Sequence, residues 1–131
     1  MENSKNVKVG IGFATGRRSF QKVLKTYIYN WQECGLTEME HINLDLFIAY
    51  DLKYSKTKSS HYTNVKEDLL GLINDVNFLG SSGIKKEVNC LLEEKVIDEN
   101  EARLFFGSGY AAKRNAILYS AMQHNIDYLL F

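Results

Sequence analysis

The sequence predicts an α/β fold: a Rossmann-like three-layer α/β/α arrangement around a mainly parallel sheet. Three observations lead there. β-Rich runs at 7–13, 43–50 and 126–131 alternate with amphipathic helical stretches. The run "NLDLFIAY" (43–50) is almost continuously apolar, as expected of a strand covered on both faces. Helices between strands demand crossovers, and crossovers make neighbouring strands parallel.

"VKVGIGF" (7–13) mixes β-branched residues with glycine and reads as the first strand. Gly10 and Gly12 share one strand face, leaving Val9, Ile11 and Phe13 on the other. "ATGRR" is the turn. Phe20, Val23, Leu24, Tyr27, Ile28 and Trp31 then follow helical spacing, and Gly35 is placed to end that helix. The second strand ends at Asp51, and the polar, basic "KYSKTKSSHYT" reads as a loop. "NVKEDLLGLINDVNFLG" (64–80) reads as mostly helical, with Leu69, Leu72, Ile73 and Val76 on one face. Residues 81–97 give another helix through Ile84, Val88, Leu91 and Leu92. Asp98 with Glu101 three residues on forms a capping-box pattern. A glycine-rich turn, a small-faced helix (109–124) and the strand "IDYLLF" (126–131) complete the order β-α-β-loop-α-α-α-β. The last strand reads as fully buried, and a chain stopping on it reads as a fragment of a longer protein.

The 131 residues suggest one domain, or part of a larger one, long enough to bury roughly two-thirds of its unfolded surface. Sixteen basic and sixteen acidic residues give zero net charge, so no global field favours nucleic acid or anionic lipid. Tyr50, Tyr54 and Tyr62 flank Lys53, Lys56 and Lys58, a pattern able to stack on bases, but without net positive charge no nucleic-acid partner is expected. No apolar run approaches the ~18 residues of a membrane span, and "MENSKN" lacks a signal peptide's apolar segment. Cys34 and Cys90 are far apart and sit near apolar helical positions. They read as buried, reduced core residues, and hence as a sign of the cytoplasm.

Two glycine-containing turns carry the chemistry. Gly10, Gly12 and Gly16 form G-x-G-x-x-x-G, one residue longer than the dinucleotide fingerprint. Asp51 lies well beyond the ~20-residue offset of that fingerprint's ribose-binding acid. Those glycines equally permit a helix to pack close. No Gly-Lys-Ser/Thr follows the turn, which excludes a P-loop. The second turn opens "GSGYAAKRNAILYSAMQHN", with Lys113, Arg114 and Asn115 in the first helical turns. Cations there oppose the helix dipole unless an anion is bound, and a pyrophosphate would resolve the conflict. Arg114 would grip phosphate oxygens through its fork, Lys113 would act as a point charge, and Asn115 would contact ribose or orient the loop. With Arg17 and Arg18 at the first turn, two basic bends at the carboxyl ends of parallel strands would converge on one crevice. His41, His61 and His124 are isolated, without zinc-site spacing. The remaining carboxylates read as scattered on helices and mostly solvent-facing.

The run Ala112-Lys113-Arg114-Asn115, followed by Ala116, Ala121 and the strand Ile126–Phe131, resembles the nucleotide-sugar half of glycosyltransferases with the GT-A fold. The likeness also takes in strand 7–13 with its turn and strand 43–50 ending at Asp51. It implies residues 1–131 as a nucleotide-binding domain that stops before the D-x-D motif. It implies a nucleoside-diphosphate sugar as ligand, with Phe13, Ala14 and Thr15 toward the base, Asp51 near base or ribose, and Arg114 and Asn115 toward the sugar nucleotide; Arg17 and Lys113 join them as cations of the two basic turns. In that family D-x-D carboxylates hold manganese or magnesium on the pyrophosphate, so the metal ligands and the acceptor half lie outside this chain. "FATGRRS" stands where the commonest subfamily has a Pro-x-Tyr-Asn-like turn, and "DLKYSKT" where it has Asp-Asp-Gly-Ser. The isolated chain is expected to bind nucleotide without turnover. The other readings are a non-catalytic Rossmann-like interaction or regulatory domain, and an NAD or FAD binder. An exposed terminal strand would favour self-association.

Overall fold

A computed structural model describes residues 6–16, 19–52, 57–107 and 109–131. Strand β1 (Val7–Thr15) leads into helix α1 (Phe20–Glu33), a 3₁₀ turn (Leu36–Glu38) and strand β2 (Ile42–Tyr50). Two short helices, α2 (Ser60–Thr63) and α3 (Glu67–Leu70), precede strand β3 (Asp75–Leu79). Helices α4 (Ser81–Glu93), α5 (Glu99–Phe106) and α6 (Tyr110–Gln123) then return the chain to strand β4 (Tyr128–Leu130). The sheet is parallel throughout, in the order β3-β2-β1-β4. The Rossmann-like fold class expected from the sequence is therefore the one observed, and the strand order reverses between β1 and β4.

Alternation along the strands divides the core in two. Ile11, Leu44, Leu46 and Ile48 pack against Phe20, Leu24 and Ile28 of α1, with Tyr62, Val65, Leu69 and Ile73 continuing that layer. On the opposite face Phe47 and Ala49 meet Ile117 and Ala121 of α6. Gly10 and Gly12 lie on this second face. A Cβ on Gly12 would stand 2.8 Å from Ile117 Cγ2, and one on Gly10 would crowd Ile126 and Phe47 at 3.0 Å. The strand glycines are thus where α6 and its return loop press onto β1. Gly35, with φ 78°, follows α1 at the expected end.

Three expectations are corrected. The stretch 64–80 is not mostly helical: α3 stops at Gly71 and 75–79 form β3. In "DVNFL" Val76 and Phe78 join the α1-side core, in register with Leu46 and Ile48, so a period of two wins over the helical one. Both cysteines are exposed, because the apolar stripes of α1 and α4 pass beside them. The final strand is not buried: β4 is an edge strand, and Tyr128 and Leu130 are 66% and 57% exposed. Asp45 is a buried exception among carboxylates expected to be mostly solvent-facing. It is 1% exposed inside β2 and accepts a 2.8 Å hydrogen bond from the Asn74 side-chain amide.

The segment from Thr57 to Tyr62 is tied down from inside. Tyr62 is fully buried, stacks on Tyr50 at 5.0 Å between ring centroids, and shares a 2.7 Å hydrogen bond with Thr57 Oγ1. Gln21 of α1 donates to the Tyr62 carbonyl at 2.6 Å. This explains why Tyr62 belongs to the core and offers no stacking surface, while Lys53, Tyr54 and Lys56 lie outside the described residues.

Candidate functional site

Helix α6 has a face of small residues, with Ala112, Ala116 and Ala121 buried. That face lets it lie close over the glycines of β1, which brings its first turn above the carboxyl ends of β1 and β2. There Thr15, Gly16 and Asp51 face Gly109, Tyr110 and Lys113 across a cleft of about 10 Å³. Gly109 opens the helix with φ 91° and provides no side-chain cap. Lys113 is buried although charged, its Nζ 4.0 Å from Asp51 Oδ2, with side-chain exposures of 10% and 23%. A cation in the first helical turn works against the dipole, and the Asp51 carboxylate offsets part of that cost.

The cleft is a waist between two larger hollows on the same rim. Thr15 also lines a cavity of about 500 Å³, bordered by Phe13, Ala14, Phe20, Tyr27 and Phe131. Its aromatic wall is organised: Phe13 lies 5.7 Å from both Phe20 and Tyr27 and 6.4 Å from Trp31 between ring centroids. On the other side, Asp51 and Lys113 line a cavity of about 320 Å³ shared with Ser81, Lys85, Phe106 and Gly107.

Of the residues singled out from the sequence, Thr15, Asp51 and Lys113 come together at the waist. Ala14 sits beside them, its β1 neighbours Phe13 and Thr15 in the same wall. Arg114 is exposed, with its guanidinium 5.1 Å from the centre of the Phe131 ring at the end of β4. Asn115 turns away: its amide donates a 2.8 Å hydrogen bond to the Phe105 carbonyl, tying the end of α5 to α6. Arg17 and Arg18 lie outside the described residues, so of the two basic turns only the one bearing Lys113 and Arg114 is described. Sequence reasoning took Gly16 only as the third glycine of the dinucleotide-like pattern and passed over Tyr110, whose position directly after a helix-opening glycine is the signal that would have found it.

Among the described residues no group of three His, Cys, Asp or Glu side chains is placed to hold a metal ion. No helix of the described residues is long and apolar enough to cross a membrane. His124 closes α6, and its Nδ1 lies 2.7 Å from the Ser120 carbonyl. The chain matches no family model, and neither a curated protein nor a solved structure matches it.

Proposed function

We propose that this chain binds a nucleoside-diphosphate sugar at the carboxyl rim of its sheet, as the donor-binding half of a GT-A-type glycosyltransferase. One observation carries the reading: the ends of β1 and β2 and the first turn of α6 meet beside the reversal of strand order, with a buried lysine among them. In open α/β sheets such a switch point is where nucleotides bind. The aromatic hollow beside Phe13, Ala14 and Thr15 suits a base, which gains from a π-face and an apolar wall. Asp51 accepts hydrogen bonds and so suits ribose hydroxyls. Lys113 and the N–H groups of Ala111 and Ala112, which have no acceptor within the helix, suit the phosphates. Arg114, exposed at the end of β4, reaches the same rim from the side.

The dinucleotide alternative draws less support. Gly10 and Gly12 lie inside β1 under α6, and Gly16 alone of the three reaches the rim. A manganese or magnesium ion would neutralise the leaving diphosphate in the full enzyme. No step is assigned to it here, since the described residues bring no ligand cluster together. The bare, apolar edge of β4 is the natural place for self-association.

The test is thermal stabilisation by UDP, GDP or CDP with manganese, set against NAD. A ligand at 100 times its dissociation constant adds about 2.7 kcal/mol. Stabilisation by one diphosphonucleotide and not by NAD is expected. An intact fold that none of them stabilises would remove the nucleotide reading.

A further inference from the structure

We propose that the chain has a second binding site, between α4 and α6, for a single-chain amphiphile ending in a phosphate monoester. The gap there is a cavity of about 450 Å³, within the range of small-molecule sites. Its apolar lining includes Leu79, Ile84, Val88, Leu91, Phe106 and Ala116. Ile84, Val88 and Phe106 also border the rim cavity of about 320 Å³, so the apolar gap opens at a polar mouth. Lys85 and Lys113 stand in that mouth against one carboxylate, Asp51.

Two further features of the mouth favour an anion. Helix α4 begins there with Gly80 as N-cap, no side-chain cap and no acid in its first turn. The N–H groups of Ser81, Ser82 and Gly83 therefore have no intrahelical acceptor. Lys113 is nine-tenths buried, and at 4.0 Å its Asp51 partner stands beyond hydrogen-bonding distance. The opposite end of the gap suits a tail. Its polar atoms already bond within the protein: the Gln123 amide donates to Tyr119 Oη at 3.2 Å, the Asn77 amide to the Leu46 carbonyl at 3.3 Å, and His124 Nδ1 meets the Ser120 carbonyl. Glu87 flanks the wall from the exposed side of α4. A negatively charged head therefore belongs at the mouth.

This inference shares Lys113 with the nucleotide site and does not rest on that reading. The experiment is calorimetric titration with inorganic phosphate and with butyl, hexyl, octyl and decyl phosphate, each below its micelle concentration. Affinity is expected to rise roughly fourfold per added methylene until the gap is full. Val88→Trp, which fills the gap, should flatten that series. Lys85→Ala should weaken every tailed phosphate without changing the slope. Equal affinity for inorganic phosphate and octyl phosphate would overturn the proposal, as would octyltrimethylammonium binding as tightly as octyl phosphate. Should Val88→Trp fail to fold, the series on the unaltered chain decides by itself. Loss of UDP binding with the chain-length series preserved would separate the two sites.

Discussion

Gly12 shows most plainly how one residue positions the site. Its missing side chain is what lets Ile117, and with it the first turn of α6, approach β1. Gly12→Ala forces a methyl to 2.8 Å from Ile117 Cγ2. It should cost about 1–3 kcal/mol in urea unfolding, the range for overpacking. A loss below about 0.5 kcal/mol would show that α6 is not held that close. The sequence offered both readings of this glycine, strand packing and phosphate cradle, because a G-x-G pattern looks the same in either. Asp45 was not legible at all: an acid in an apolar strand announces nothing about the Asn74 amide that satisfies it. Tyr119 gives a pH prediction. Partial burial, and then the Glu87 and Glu94 carboxylates, raise its phenol above the ordinary 10.0. Below that value the phenol is protonated in both folded and unfolded chains. Above it the unfolded chain releases the proton first, so stability falls as pH rises. Denaturation from pH 9 to 11 should show a steeper decline for the natural chain than for Tyr119→Phe.

At the scale of elements, strongly patterned segments could be read and weakly patterned ones could not. Helix α1 buries Phe20, Leu24 and Ile28 of its predicted stripe but leaves Val23 and Tyr27 exposed, while β2 is buried on both faces as its composition requires. Helix α5 bears the expected capping box: Asp98 accepts from the Glu101 N–H at 2.8 Å and Glu101 accepts from the Asp98 N–H at 3.1 Å. Asp98→Ala should cost about 0.5–2 kcal/mol by thermal or urea unfolding. Because Asn115 ties α5 to α6, the loss should spread to α6, visible as faster amide exchange there than in α1. Strand β3 was hidden because Leu69, Leu72, Ile73 and Val76 satisfy helical spacing by chance across the α3–β3 junction. Pairing beside β2, a tertiary event, decides the matter. The exposure of β4 had the same cause in reverse: an apolar strand reads as buried whether or not neighbours cover it.

At the scale of the whole molecule, the parallel sheet places every strand's carboxyl end and the first turns of α4 and α6 on one rim. The fold class was legible because alternating strands and helices permit few topologies. The composition of the rim was legible only in part, since Lys113 and Asp51 meet through the packing of α6 on β1. Arg114→Ala should weaken diphosphonucleotide binding more than Lys58→Ala, whose exposed side chain lies on the loop after β2. Equal effects in titration would place the ligand elsewhere. The most direct measurement is amide mapping of the ¹⁵N-labelled chain during titration with UDP, GDP or CDP and magnesium. The largest shifts should fall on Thr15, Gly16, Asp51, Gly109 and Lys113. Shifts confined to the opposite rim, around Lys8, His124 and Asp127, would contradict the carboxyl-rim site.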